Sequence, residues 1–245
     1  MRPLGGGAPV IGALVIGVLI TWFLRVPDAV VASVMAFGSG VLISAVAFDL
    51  MAEAARTGGL AATALGFLGG ALAYLAANVL LARRGARHRK RSGDQQPSES
   101  EQEGSGAAIA VGALLDGVPE SVVLGVGLLG GGVVSLPVLA AVFISNVPEG
   151  LSSAAGMKRS GRSARYIFGV WTTIAVLSGL SALLGYVALG SAPPEVIAVI
   201  TAVAAGAILT MIADTMIPEA FEKTHTWTGL ITTVGFLVAF AVDRA

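Results

Sequence analysis

The chain has 245 residues, of which 55% are hydrophobic and only 12% charged, and its formal net charge is zero. A soluble domain carries about twice that share of charge, and the balanced charge offers no footing for nucleic acid. There is no cysteine, which excludes disulfides, thiolate metal ligands and cysteine nucleophiles. The mean hydropathy of +0.84 and repeated apolar runs of about 20 residues point to an all-α integral membrane protein. Membrane strands would alternate with period two, and these runs do not.

Eight transmembrane helices are predicted, at 8–25, 29–54, 60–82, 106–130, 135–157, 165–189, 194–219 and 227–243. The first follows Arg2 but lacks a small-residue cleavage site and ends in Leu24-Arg25-Val26-Pro27, so it reads as a retained span rather than a signal peptide. The chain divides into residues 1–82 with three helices, a basic then polar loop at 83–105, two central helices in 106–157, and three helices in 158–245, all one transmembrane domain. Ten of the 15 basic residues sit in two loops: Arg83, Arg84, Arg87, Arg89, Lys90 and Arg91, then Lys158, Arg159, Arg162 and Arg165. The positive-inside rule makes that side cytoplasmic, with both termini outside, and the expected location is the plasma membrane. Trp22, Trp171 and Trp227 fall near cytoplasmic span ends, where they suit interfacial anchoring. Residues 92–105 are polar and low in complexity and read as a disordered tether.

The fourth and fifth spans each carry a Pro-Glu motif, Asp116-Gly-Val-Pro-Glu120-Ser and Ser145-Asn-Val-Pro-Glu149-Gly, 29 residues apart. A charged side chain at the centre of a membrane helix costs roughly 2.5–3.5 kcal/mol on insertion scales and by default marks a functional site. Each proline also frees the carbonyl four residues back, that of Leu115 or Ile144. Residues four apart share a helix face, so Asp116 pairs with Glu120 and Ser145 with Glu149, with Asn146 alongside. Both motifs fall about halfway along antiparallel spans, as an inverted repeat requires. With no Lys or Arg inside any span core, intramolecular ion pairing is not expected, which leaves a bound divalent metal or protonation to balance three carboxylates. The plainer alternative is a pair of kinked packing helices whose protonated acids bond neighbouring carbonyls.

Spans 2 and 7 echo each other. Gly40 precedes Glu53 by 13 residues, as Gly206 precedes Glu219. Running in opposite directions, they place Asp49 and Glu53 at an outer mouth, and Asp214 and Glu219, with Glu222 just beyond, at an inner one. His225 follows Glu219 and Glu222 at three-residue steps and could share their face. The Gly66-x-x-x-Gly70 spacing allows close helix packing within one protomer or in a homodimer.

These features resemble the ZIP (Zrt-/Irt-like) divalent metal transporters, whose fourth helix reads His-Asn-x-Pro-Glu-Gly and whose fifth carries a related Pro-Glu or His-Glu motif. The resemblance extends to the second helix, with Asp49-Leu-Met-Ala-Glu53, and to the seventh, with Asp214-Thr-Met-Ile-Pro-Glu219. It implies eight helices in a 3+2+3 inverted-repeat arrangement, and no enzymatic activity. It further implies transport of a metal ion through the bilayer toward the cytoplasm, with Asp116, Glu120, Asn146 and Glu149 as ligands and Ser145 assisting. Zinc is the family's usual cargo, with manganese, iron or cadmium as further candidates. Here Asp116 stands where the family has histidine, Gly117 where it has asparagine, and span 6 lacks the acid of two-metal members, so a single-ion site is expected. Oxygen-only ligands shift preference toward harder ions such as manganese. The alternatives are a proton-coupled carrier of an organic cation or small solute and, more remotely, an intramembrane carboxylate hydrolase.

Overall fold

A computed structural model of the chain describes residues 8–24, 26–90, 96–98, 100–129 and 136–244, and among them there is no strand. The helices are α1 (Ala8–Phe23), α2 (Asp28–Ala45), α3 (Ala52–Leu81), α4 (Ser105–Val126), α5 (Leu136–Arg159), α6 (Ala164–Leu189), α7 (Pro194–Met211), α8 (Ile217–Thr224) and α9 (Trp227–Arg244). Short π-helical segments at Val46–Met51, Ala82–Ala86 and Ile212–Met216 join or extend them. Five helical stretches, 28–86, 105–126, 164–189, 194–224 and 227–244, are long and apolar enough to cross a membrane. The first runs for 59 residues, about 88 Å at 1.5 Å per residue, and Gly59 breaks it with φ 76° and ψ 161°. That left-handed conformation suits only glycine.

Polarity is distributed as lipid, not water, demands. Leu65, Leu68, Leu72, Leu75 and Val79 form an exposed stripe along α3, whereas Arg89, Lys90, Asp116, Glu120, Asn146 and Glu149 are buried. A soluble protein keeps most of its large apolar side chains inside and its charges in water. The chain is therefore a helical membrane protein.

Helix contacts fall into matched pairs: α3 against α7 and α2 against α9, then α1 against α5 and α4 against α6. Glycine permits the first two crossings. A Cβ on Gly40 would lie 1.9 Å from the Thr232 carbonyl oxygen and one on Gly235 2.1 Å from that of Phe37. In the α3–α7 crossing, Gly206 meets the Phe67 carbonyl and Gly70 that of Val203, both at 1.9 Å by the same measure. The Gly66-x-x-x-Gly70 spacing is thus used inside the chain. Gly40 and Gly206 each precede a π-helical segment by six residues, so the echo of spans 2 and 7 extends to their backbone geometry.

Most predicted helix boundaries hold to within a few residues, but the break expected at 55–59 lies inside one helical stretch that kinks at Gly59, and the helix starting at Pro194 continues through its π segment to Thr224. Trp171 differs: it is buried in the core. Its indole covers more apolar area against neighbouring helices than an interface would. Trp22 stacks under Lys158 Nζ at 4.7 Å, and Trp227 is exposed.

Replacing Gly206 with alanine should destabilise the bundle by about 1–3 kcal/mol or more, since a methyl group has no room against the Phe67 carbonyl. Gly69→Ala, where nothing lies within 4 Å of the new Cβ, should leave the melting temperature in detergent unchanged or slightly raised.

Candidate functional site

Pro119 and Pro148 lie inside α4 and α5 without ending either helix, and the two Pro-Glu motifs meet where these helices approach. Asn146 Nδ2 donates to Glu120 Oε2 at 2.8 Å and to the Val142 carbonyl at 2.6 Å. With both of its acceptor partners on the nitrogen side, the amide turns Oδ1 the other way. There that oxygen is buried with no hydrogen-bond donor. Asp116, Glu120, Asn146 and Glu149 are all at most 3% exposed, so four of the five expected ligands are buried. The fifth, Ser145, lies in α5, and its side chain is outside the described residues.

The expectation that no basic side chain reaches these acids is wrong. After α3 the chain turns at Gly85, with φ 96°, and residues 87–90 fold back into the bundle. Arg89 Nε donates to Asp116 Oδ2 at 2.9 Å and Nη2 to Oδ1 at 2.8 Å, a two-pronged pair. Arg89 also donates from Nη2 to Tyr74 Oη and from Nη1 to Asn78 Oδ1, both at 2.8 Å, while Tyr74 Oη donates to Asp116 Oδ1. Lys90 Nζ lies 3.4 Å from Asp116 Oδ2 and 3.3 Å from Glu149 Oε2, but makes no well-directed hydrogen bond. Burial works against the ammonium, yet the Asp116 and Glu149 carboxylates outweigh it and hold the Lys90 pKa above the ordinary lysine value.

The segment is fastened as well as paired. The carbonyls of Lys90 and Arg89 accept from Ser152 Oγ and Ser153 Oγ, one turn beyond Glu149. Gln96 Nε2 donates to the Arg89 carbonyl at 2.9 Å and to that of Ser153 at 3.3 Å. Gly112 leaves room for the arginine stem, since a Cβ there would be 2.4 Å from Arg89 Cδ. Within the stretch expected to be a tether, residues 92–105, Gln96 is thus fastened to the bundle; Arg91 and residues 92–95 and 99 lie outside the described residues. Charged backbone segments are tolerated at membrane depth when protein rather than lipid surrounds them, and hydropathy windows do not see that case. Tyr74 and Asn78, polar residues four apart in an apolar helix, were the readable signal on α3.

The expected pathway residues divide. Asp49 and Glu53, with Arg56, Val123, Pro194 and Thr201, line a cavity of about 720 Å³ on the C-terminal side of Glu120. Glu53 is exposed and paired with Arg56 at 2.6 Å. At the other end, Glu219 is buried and accepts from Ser152 Oγ at 3.3 Å, which joins it to the Lys90 latch. Glu222 is half-buried, and Asp214 is exposed within a π segment. His225 does not continue their face: α8 ends at Thr224, and His225 turns away at φ 45°. The acids therefore sit between a cavity on one side and a basic plug on the other.

Among the described residues no three His, Asp or Glu side chains are gathered closely enough to hold a metal ion, and Asp116 is turned to Arg89. Glu120, Glu149 and the unpartnered Asn146 Oδ1 remain as oxygen donors. Comparison with protein-family models and with curated proteins finds no match.

Removing one member of a buried ion pair leaves the other uncompensated, at about 3–5 kcal/mol. Arg89→Ala should therefore lower stability by that order, whereas the double variant Arg89→Ala, Asp116→Ala should recover a large part of it. Thermal unfolding in detergent across this double-mutant cycle measures the coupling.

Proposed function

We propose that this chain is a ZIP-like carrier of divalent cations, with a single cation position formed by Glu120, Glu149 and Asn146 and adjoined by Asp116. The observation that carries the reading is the buried Asn146 Oδ1: an acceptor without a donor, on the amide that also holds Glu120, is what a cation ligand needs. Three buried acids in two proline-bearing membrane helices are costly unless they serve a cation. All the donors are oxygen, which favours manganese or another hard divalent ion, while zinc is the cargo the resemblance implies.

The eight-span count has support in the helix lengths. Gly59 splits the longest stretch in two, and the 24 residues of α5 span about 36 Å at 1.5 Å per residue. The matched crossings of α2 with α9 and α3 with α7, and the paired π segments, support an inverted repeat around α4 and α5. Rocking of one set of helices against the other would open the site to alternate sides. In that scheme the cavity at Asp49 and Glu53 is the approach from outside, and Glu219 lies on the way to the cytoplasm.

A proton-coupled carrier of organic cations is the second reading. The fit of the Arg89 guanidinium to Asp116, Tyr74 and Asn78 is the observation on its side.

In proteoliposomes loaded with a metal-sensing dye, the wild-type chain should take up Zn²⁺ or Mn²⁺, and Glu120→Gln and Glu149→Gln should reduce uptake at least tenfold while remaining folded. Undiminished uptake in both variants rejects the site. Stabilisation of the wild type by guanidinium and not by any divalent ion would favour the second reading, since only ligands of the folded state raise its apparent stability.

A further inference from the structure

Arg89 and Lys90 are adjacent in sequence but held in different ways. Every well-directed contact belongs to Arg89: two bonds to Asp116, one to Tyr74 and one to Asn78. Lys90 Nζ lies at 3.3–3.4 Å from one oxygen each of Asp116 and Glu149, with no hydrogen bond of good geometry. Its ammonium therefore sits between the acids of the two Pro-Glu motifs, where a cargo ion would sit. Its carbonyl accepts from the Ser152 hydroxyl, and the preceding carbonyl, that of Arg89, accepts from the Ser153 hydroxyl and the Gln96 amide.

Charge counting gives this difference a consequence. With Lys90 withdrawn, Asp116, Glu120, Glu149 and the anchored Arg89 leave two net negative charges, the complement of one divalent ion. With Lys90 in place one negative charge remains. A monovalent ion replacing the ammonium gains no charge balance over it, whereas a divalent ion brings the group to neutrality.

We propose that Lys90 is a tethered competitor for the cation position and a determinant of valence selectivity: cargo binds by displacing its ammonium, and Arg89 cancels one acid so that the vacated position calls for two positive charges. This rests on the transport reading above. The competitor acts from the side of the site opposite the 720 Å³ cavity, so cargo arriving through the cavity meets the ammonium across the carboxylates.

The chain contains no cysteine, so a single thiol can be placed and modified cleanly. Zn²⁺ and Mn²⁺ binding, each titrated alone, is compared for the full-length wild type, Lys90→Gln and Lys90→Cys in detergent. Both variants should bind the divalent ion at least tenfold more tightly than wild type, and K⁺ or Na⁺ should compete no better in the wild type than in the variants. Treating Lys90→Cys with aminoethyl methanethiosulfonate restores an ammonium at nearly the lysine position and should return affinity to the wild-type level. Methyl methanethiosulfonate, which adds bulk without charge, should not. Equal affinity in wild type and variants, or equal effects of the two reagents, overturns the proposal. Loss of all divalent binding in wild type and variants alike overturns the transport reading and the proposal with it. Should the variants fail to fold, acetic anhydride labelling of wild-type Lys90, read by mass spectrometry, decides: added Zn²⁺ should raise labelling severalfold, and unchanged labelling overturns the displacement.

Discussion

Charge balance in an enclosed, weakly polarisable space is the constraint that the centre of this bundle is built around. Two proline-bearing helices bury Asp116, Glu120 and Glu149, and Lys90 lies beside both Asp116 and Glu149. Opposite unit charges about 4 Å apart gain roughly 4 kcal/mol at an effective dielectric near 20, while desolvation costs several kcal/mol per ion. The two nearly cancel, so the arrangement persists only if each charge also meets directed hydrogen bonds. Arg89 meets that condition fully and Lys90 does not. From this follow the backward turn at Gly85, the room left by Gly112, and the serine pair on α5 that donates to the returning backbone carbonyls.

The helical frame was legible because each span is a continuous apolar run punctuated by glycine, proline or a basic cluster, and those are local properties. The carboxylates were legible for the same reason: an acid in an apolar helix stands out without reference to any partner. The cations were not. Arg89 lies 27 residues from Asp116 in the chain, and Lys90 pairs with Glu149 across the whole of α4. An average over neighbouring residues places both in a solvated loop. Only the requirement that buried acids be neutralised could have pointed there, and the sequence reading assigned that task to metal or protons. Trp171 shows the same limit, since depth along a span can be read from sequence but the direction a side chain faces cannot.

The two ends of the site differ in kind. Along α4, residues past Glu120 face a cavity that also touches Asp49 and Glu53, and residues before Asp116 face the basic segment. The glycine crossings hold α2 to α9 and α3 to α7 at backbone contact distance, which makes each pair a stiff unit. By contrast α4 and α5 meet chiefly through polar side chains, Asn146 to Glu120 directly and Asp116 to Glu149 through Lys90. Motion is most easily accommodated where contacts are side chains that can exchange partners, and least where backbones touch. Opening at either end would then alter the ion pairs before it alters the frame.

A carrier must release its cargo as well as bind it, and for an all-oxygen site holding a divalent ion release is the harder step. If the chain carries a divalent ion as proposed, a tethered ammonium would address this directly. When a competing state is 99% populated, apparent affinity falls about 100-fold, so binding from the cavity side would weaken only by the factor that the ammonium imposes. On the opposite side the same ammonium would be present at the effective concentration of a short tether, in the millimolar range, and would return as the ion moved toward Glu219. Arg89 would set how strongly it returns: its two-pronged pair with Asp116 offsets one of the charges that Lys90 meets, so the ammonium would be attracted enough to displace a departing ion and too loosely held to exclude the next one.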